Sequence, residues 1–208
     1  MTAETEDKNA NLTADCYSED ERRAMAWSQE LRRRLFCPLL RLLDTCHVTP
    51  DQITLLATIV GLSFCPLYFW WPPGAVLAIV FHVLLDGLDG PLARFKNVDS
   101  PRGSFTDTVS DQIVVVATTI TLLWAETVSI PAGGVYIFLY TTVVAFAMVR
   151  NALAVPYSWL VRPRFVVYAW LLVESAFWPG SIEYVIWVCN LLLGFKMITG
   201  FIGIRRRI

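Results

Sequence analysis

Cysteine is sparse and irregularly placed in this sequence of 208 residues. The five cysteines are Cys16, Cys37, Cys46, Cys65 and Cys189, and their spacing does not match that of metal ligands. An odd, unpatterned set indicates free thiols rather than a disulfide framework. Residues 1–17 lack both a basic start and an apolar run, so we expect neither a secretory signal nor a transit peptide there. This segment is polar and acidic, which predicts a disordered arm.

The composition, by contrast, is rich in apolar residues. Hydrophobic residues make up 55% of the chain, which is too apolar for an ordinary soluble domain. We find no internal repeat and no low-complexity tract. The apolar stretches predict an all-α integral membrane protein with six transmembrane helices within residues 48–208. The predicted spans cover residues 49–70, 74–95, 103–124, 131–153, 165–177 and 182–204, and the fifth is short for a bilayer. Thr49 is expected to cap the first span, with Pro50 in its first turn.

Residues 18–47 predict an amphipathic juxtamembrane helix in front of the first span. Leucines and a methionine lie on one face, and arginines lie on the other. Such a helix is expected to lie along an anionic cytoplasmic leaflet, and the alternative is a solvated helix that packs on a partner.

Basic residues also give the orientation of the predicted spans. In the six-span arrangement all Lys and Arg fall on one side, and the turns near Pro72, Glu126 and Pro179 contain none. The positive-inside rule then predicts that both termini are cytoplasmic.

Four aspartates lie where the second and third predicted spans meet. Asp86 and Asp89 are three positions apart, and Asp107 and Asp111 are four apart, so each pair shares one helix face. If the two helices face each other, the four carboxylates come together. Four negative charges can share a volume without water only if cations neutralise them. Oxygen ligands of this kind suit Mg²⁺, Mn²⁺ or Ca²⁺ rather than Zn²⁺.

Small and basic residues surround these acids. Small side chains that let a ligand approach the backbone occur at Gly87, Gly90, Ala93 and Gly103. Arg94, Lys96 and Arg102 add positive charge. Metal ions and cations beside a cleft of small residues are typical of phosphoryl chemistry.

The segment resembles the signature of the CDP-alcohol phosphotransferase family, D-x2-D-G-x2-A-R-x8-G-x3-D-x3-D. Every fixed position is present, at Asp86, Asp89, Gly90, Ala93, Arg94, Gly103, Asp107 and Asp111. The first span also resembles the family at its start, where many family members have the sequence Pro-Asn-x-x-Thr. Here Pro50 and Thr54 match that pattern, and Asp51 replaces the Asn.

The resemblance implies a membrane enzyme, usually a homodimer, that transfers a group from a CDP-activated donor to an alcohol and releases CMP. CDP-diacylglycerol is the expected donor, which makes the protein a phospholipid synthase working at the bilayer, with no nucleic-acid partner. By the same resemblance, Asp86, Asp89, Asp107 and Asp111 would hold two Mg²⁺ or Mn²⁺ ions per active site, on the cytoplasmic side. Asp111 would also be the base. The expected nucleotide-binding residues are Thr54, Gly87, Gly90, Ala93, Arg94 and Gly103.

The acceptor alcohol is less constrained by the sequence. Arg150, Arg162 and Arg164 favour a phosphorylated acceptor such as glycerol 3-phosphate or inositol phosphate, and anchoring at the membrane surface is their alternative role. Serine and free inositol stay open. His82 precedes Asp86 by one helical turn and is expected either to orient a carboxylate or to be hydrogen-bonded within the bundle.

Two other functional classes remain as alternatives. A divalent-cation transporter could use intramembrane carboxylates, but it would not need the Gly-Pro-Leu-Ala-Arg tract. A silent scaffold would not need four acids in this register.

Overall fold

The computed structural model describes residues 37–153 and 162–208. The predicted arm at residues 1–17 and most of the predicted juxtamembrane helix at 18–47 lie outside this part. Within the described residues every regular element is a helix, as expected. In chain order they are α1 (37–45), α2 (Pro50–Leu62), α3 (Phe64–Trp70), α4 (Pro72–Phe95), α5 (Pro101–Trp124), α6 (Ile130–Ala152), α7 (Pro163–Ala176) and α8 (Ile182–Arg205).

Local capping explains where several helices begin. Thr49 and Gln52 form a reciprocal capping box at α2, with Pro50 in the first turn, so the predicted cap is confirmed. Ser100 caps α5 by accepting from the Gly103 amide at 3.2 Å. Ser129 caps α6 in the same way. A capping hydroxyl satisfies an amide that the helix itself leaves without a partner.

In the described part of the chain, four helical stretches are long and apolar enough to cross a bilayer. They are Pro50–Trp70, which combines α2 and α3, and Pro72–Phe95, Ile130–Ala152 and Ile182–Arg205. The predicted third span is the 24-residue helix α5, and the predicted fifth is α7, which has only 14 residues. These two helices are not among the four, so the six-span arrangement stays a prediction.

Many large apolar side chains point away from the bundle. They include Leu55, Ile59, Phe81, Leu84, Leu191, Leu192 and Phe195, all about half exposed or more. An apolar outer surface of this extent suits contact with lipid.

Close helix contacts hold the acid-bearing helices together. Helix α2 packs against both α4 and α5, and α7 packs against α4 and α8. A Cβ atom added at Gly61 would lie 2.8 Å from the Val114 side chain and 3.0 Å from His82 Nδ1. The missing side chain therefore lets α2 approach α5, as small residues do between membrane helices.

Helix α1 lies against the start of α2 and the end of α4. Leu40 is buried with Ile53 and Leu92 in a small apolar cluster. Lys96 Nζ lies 3.0 Å from Asp44 Oδ1, which links α1 to the residue after α4. The described end of the predicted juxtamembrane helix is thus packed beside the helix that carries Asp86 and Asp89.

At the opposite end of the bundle, two acids, the buried Glu174 and the partly exposed Glu183, organise the turns. Glu174 accepts hydrogen bonds from the Gly180 and Ile182 amides, at 2.6 and 2.9 Å, and from Ser181. Glu183 accepts from the backbone and side chain of Ser129 at the start of α6. These acids act as caps and turn supports.

Candidate functional site

Three of the four signature acids meet at one point. Asp86 and Asp89 lie in the second half of α4, and Asp107 lies in the second turn of α5. One carboxylate oxygen from each residue lies within 4.8 Å of the other two. The helix spacing alone predicted each pair on one face, and the packing of α4 and α5 beside α2 brings these three together. We call Asp86, Asp89 and Asp107 the three-acid cluster.

The three-acid cluster fits a divalent cation. Carboxylate oxygens are the donors that Mg²⁺ and Mn²⁺ prefer. Asp107 Oδ1 is buried and has no hydrogen-bond partner in the described part of the chain. A buried carboxylate oxygen is costly without a compensating group, and a cation would supply one.

Asp89 is held in place by two hydrogen bonds. Thr54 Oγ1 donates to Asp89 Oδ2 at 2.7 Å, and the Gly90 amide donates to Asp89 Oδ1 at 2.6 Å. Both bonds fix the carboxylate without removing its charge. The predicted nucleotide contact of Thr54 stays a prediction, and its observed partner is an acid of the cluster.

Asp111 lies beside basic groups rather than in the three-acid cluster. Arg164 Nη1 contacts Asp111 Oδ2, and Arg162 Nη1 lies 3.9 Å from the same oxygen. His82 Nε2 lies 4.0 Å from the other oxygen, Oδ1. That oxygen is buried and has no hydrogen-bond partner among the described residues. The role of Asp111 as a metal ligand stays a prediction.

Of the two roles expected for His82, the structure shows the hydrogen bond within the bundle, and orienting a carboxylate stays a prediction. Its Nδ1 lies 2.9 Å from the Ala57 carbonyl oxygen, and since a carbonyl only accepts, Nδ1 must carry a hydrogen. The ring is buried and packs edge-on against Tyr168, with centroids 6.1 Å apart. Nε2 is thereby directed toward Asp111.

The predicted nucleotide-binding residues lie beside the acids. A Cβ atom added at Gly87 would meet nothing within 4 Å, so this position faces open space. At Gly90 such an atom would lie 3.4 Å from Arg94 Nη1, so Arg94 lies over this glycine. Gly103 is next to the Ser100 cap, and Ala93 is half-buried. Open backbone beside acids is compatible with a phosphate-containing ligand, and each of these contacts stays a prediction.

The three predicted acceptor arginines occupy different environments. Arg164 is 3% exposed and its Nη2 donates to Asp86 Oδ2 at 3.1 Å, so anchoring at the membrane surface does not describe it. Arg162 is partly exposed and close to Asp111. Arg150 lies at the end of α6, where its guanidinium is close to Gly203 of α8.

Sequence reasoning missed the pairing of Arg164 with two of the acids. Arg164 and Asp86 are 78 positions apart, and no local spacing rule links them. The sequence offered one signal, a basic residue near the end of a predicted span, and that signal also fits surface anchoring.

The fold and the acid cluster define a helical membrane protein whose bundle carries three carboxylates able to hold a divalent cation. Residues 47–198 match the family model described as CDP-alcohol phosphatidyltransferase. This match covers most of the chain, and the protein belongs to that family.

Curated relatives match over shorter segments. Inner membrane protein YnjF of Escherichia coli is 39% identical over 69 residues, which are 33% of this chain and 33% of that protein. A CDP-diacylglycerol–serine O-phosphatidyltransferase of Mycobacterium tuberculosis is 30% identical over 110 residues, 51% of this chain and 38% of the relative. The matched segments thus span about a third of the length of these relatives.

Solved structures share the fold. Mycobacterium tuberculosis phosphatidylinositol phosphate synthase with CDP-DAG bound superimposes with a TM-score of 0.71 at 20% identity, covering 82% of this chain and 94% of that one. The same enzyme in complex with manganese and citrate gives a TM-score of 0.70 at 20% identity, covering 80% and 87%. At this identity the likeness establishes the fold alone.

Proposed function

We propose that this protein is a metal-dependent phospholipid synthase. It transfers the phosphatidyl group of CDP-diacylglycerol to an alcohol and releases CMP. The observation that carries this proposal is the three-acid cluster beside the open backbone of Gly87, within a complete family signature. A solved relative of the same fold was crystallised with CDP-DAG bound, which supports the donor.

The cluster residues Asp86, Asp89 and Asp107 would hold the divalent cation, with Asp111 as the further ligand that the sequence predicts. When bound, Mg²⁺ or Mn²⁺ supplies charge neutralisation for the diphosphate and for the departing CMP. The solved relative in complex with manganese supports this chemistry. We propose two ions per active site on the family resemblance.

Asp111 is the proposed base. An alcohol is a weak nucleophile near neutral pH, so a positioned carboxylate that accepts its proton helps. The hydroxyl oxygen forms a bond to the phosphorus of the phosphatidyl group, its proton passes to Asp111, and the bond from that phosphorus to CMP breaks. Asp111 Oδ1 suits this role because it has no hydrogen-bond partner among the described residues.

We assign recognition of the acceptor first to Arg162. Its guanidinium lies 3.9 Å from Asp111, and it is more exposed than that of Arg164, so it is better placed to meet an incoming anion. Arg150 and Arg164 are the other two acceptor-binding residues that the sequence predicts. An arginine that grips a phosphate favours glycerol 3-phosphate or inositol phosphate as the acceptor. Serine and free inositol are the alternatives, and a curated relative is named as a serine transferase.

We further propose that the protein spans the membrane six times, works as a homodimer, and has both termini and the active site in the cytoplasm. The support is the placement of basic residues at one end of the helices, together with the signature acids. Cysteine labelling tests this orientation. In a cysteine-free background, Pro179→Cys should react only with an impermeant reagent applied outside, and Arg207→Cys only with reagent applied inside.

One experiment separates a transferase from a cation transporter, the other class that buried acids suit. Purified protein is given CDP-diacylglycerol with each of four acceptors: glycerol 3-phosphate, inositol phosphate, serine and inositol. The proposal predicts equal amounts of CMP and new phospholipid with one of them. Mn²⁺ uptake into proteoliposomes without CMP release from any mixture would instead indicate transport.

A further inference from the structure

A proline lies inside the helix that carries the first two signature acids. Pro91 is in the C-terminal part of α4, well past the first turn, where proline is tolerated. Proline has no backbone N–H, so the carbonyl oxygen of Gly87, four residues earlier, lacks the hydrogen bond that an α-helix would give it. The proline ring also crowds that carbonyl in a straight helix, which favours a bend there. One backbone acceptor of α4 is thereby released from its helix.

The residue that carries this carbonyl is open to a ligand. A Cβ atom added at Gly87 would meet nothing within 4 Å, whereas one added at Gly90 would lie 3.4 Å from Arg94 Nη1. Gly87 is partly exposed, and it directly follows Asp86 of the three-acid cluster. The released carbonyl therefore belongs to a residue beside the proposed cation, where neighbouring side chains leave space.

The position of Pro91 is not explained by the signature itself. Pro91 occupies one of the variable positions of the signature, so the resemblance assigns it no role. Proline is the most destabilising residue in a helix interior, and a carbonyl without a partner is a further cost. A ligand that donates a hydrogen bond to Gly87 would offset both costs. Because a carbonyl oxygen only accepts, the matching group of the ligand must carry an N–H or an O–H.

We propose that Pro91 is a specificity-determining residue that presents the carbonyl oxygen of Gly87 to the nucleoside part of the donor. The inference rests on the proposed function, in which a cation in the three-acid cluster holds the diphosphate. In CDP-diacylglycerol at neutral pH, the diphosphate and the two acyl esters carry no N–H or O–H. The ribose hydroxyls and the amino group of cytosine are therefore the donor's groups that can meet this carbonyl. A contact with the amino group would also exclude uridine nucleotides, which have an oxygen at that position.

Nucleotide binding gives a test that does not depend on turnover. Pro91→Ala restores an N–H that can bond to Gly87 within the helix. The Kd values of CMP and of three analogues, 2′-deoxy-CMP, 3′-deoxy-CMP and UMP, are measured by calorimetry on purified protein with Mn²⁺. We expect Pro91→Ala to bind CMP roughly fivefold more weakly than the wild type, the effect of one lost hydrogen bond. The analogue that lacks the contacting group should bind to both proteins equally.

A second variant tests the same place by size. Gly87→Ala places a methyl group in the open space and should weaken CMP binding by roughly fivefold or more. Its apparent melting temperature should not fall, because alanine favours a helix more than glycine does. Gly87→Ala also serves as the test if Pro91→Ala does not fold. Unchanged CMP affinity in Gly87→Ala would mean that the nucleoside does not lie at this residue.

The control is Pro66→Ala, which removes a proline from another helix, α3, and should leave CMP binding unchanged. Mn²⁺ affinity without nucleotide should match the wild type in all three variants, which shows that the acids are still assembled.

Two results with Pro91→Ala would overturn the inference. Unchanged CMP affinity would mean that Pro91 only shapes the helix. Equal weakening for CMP and all three analogues would mean that the variant damages the pocket as a whole instead of removing one contact. Failure of the proposed function is distinct from both, because wild-type protein would then bind Mn²⁺ but would neither bind CMP nor release it from CDP-diacylglycerol.

Discussion

The guanidinium of Arg164 contacts the carboxylates of both Asp86 and Asp111, which belong to different helices. Three helices are thus tied together at the one place where the chain carries four acids in a membrane-type sequence. A buried arginine and its carboxylate partners are expensive to desolvate, so their presence inside a bundle indicates a function.

Thr54 should act on the metal centre through Asp89. Thr54→Val keeps the shape of the side chain and removes the hydroxyl that donates to Asp89 at 2.7 Å. We expect Mn²⁺ affinity to fall by roughly tenfold, consistent with the loss of a hydrogen bond to a charged group worth about 1.5–3 kcal/mol. Asp89→Asn should cost more, because it also removes the charge.

The matched control is Thr58→Val on the same helix. Thr58 Oγ1 donates to the Thr54 carbonyl oxygen, a bond within α2 that does not involve an acid. Its Mn²⁺ affinity should stay within about twofold of the wild type. Equal losses in both variants would show that α2 packing, rather than the bond to Asp89, is responsible.

Asp111 should act as the base in addition to its predicted contact with the metal. We expect Asp111→Asn to bind CDP-diacylglycerol normally and to lose turnover by about 10²-fold or more, within the usual range for a general base. Added Mn²⁺ should partly restore Asp86→Asn, because that variant is deficient in holding the cation. The measurement is turnover against Mn²⁺ concentration for both variants. Recovery of Asp111→Asn at high Mn²⁺ would make Asp111 a ligand only.

Arg162 should affect the acceptor and not the donor. Arg162→Ala removes the partly exposed guanidinium near Asp111 and should raise the acceptor KM by about tenfold or more, with a small effect on the donor KM. Arg150→Ala should give a smaller change in the same direction. The two KM values are measured separately, with Arg205→Ala as the control. An unchanged acceptor KM in both test variants would favour an acceptor without a phosphate.

Glu174 should contribute to stability alone. Glu174→Ala removes the acceptor for three groups in the turn before α8, and leaving buried donors without partners costs about 1–3 kcal/mol each. We expect a clear drop in apparent melting temperature, with kcat per folded molecule retained at low temperature. Glu126→Gln, at an exposed turn position, is the control and should melt like the wild type. A loss of kcat without loss of stability in Glu174→Ala would indicate a role at the site.

Local features of this fold were predictable from the sequence, and contacts between distant segments were not. The Thr49 cap and the spacing of Asp86 and Asp89 depend on neighbouring residues, so pattern rules apply to them. The pairing of Arg164 with Asp86 depends on how α7 packs against α4. The hydrophobic periodicity of a single helix does not say which other helix it packs against.

Helix α5 and the turn after α7 also show the difference between local patterns and contacts that depend on the folded chain. Helix α5 was predicted as a span, yet it is enriched in polar residues, and the hydroxyls of Thr118, Thr119 and Thr121 donate to carbonyl oxygens of its own preceding turn. The role of Glu174 could not be predicted from the sequence, because its partners follow a turn and lie six to eight positions further on. Its function as a turn support requires the geometry of that turn.

The most direct test of the account is CMP release from CDP-diacylglycerol by the purified protein, with its acceptor, at varied Mn²⁺ and with EDTA. The account predicts CMP release in step with new phospholipid, loss of both in EDTA, and recovery when Mn²⁺ is returned. Asp89→Asn, purified as a folded protein, should release less than about a hundredth of the wild-type amount. Full CMP release in EDTA, or wild-type release by Asp89→Asn, would contradict it.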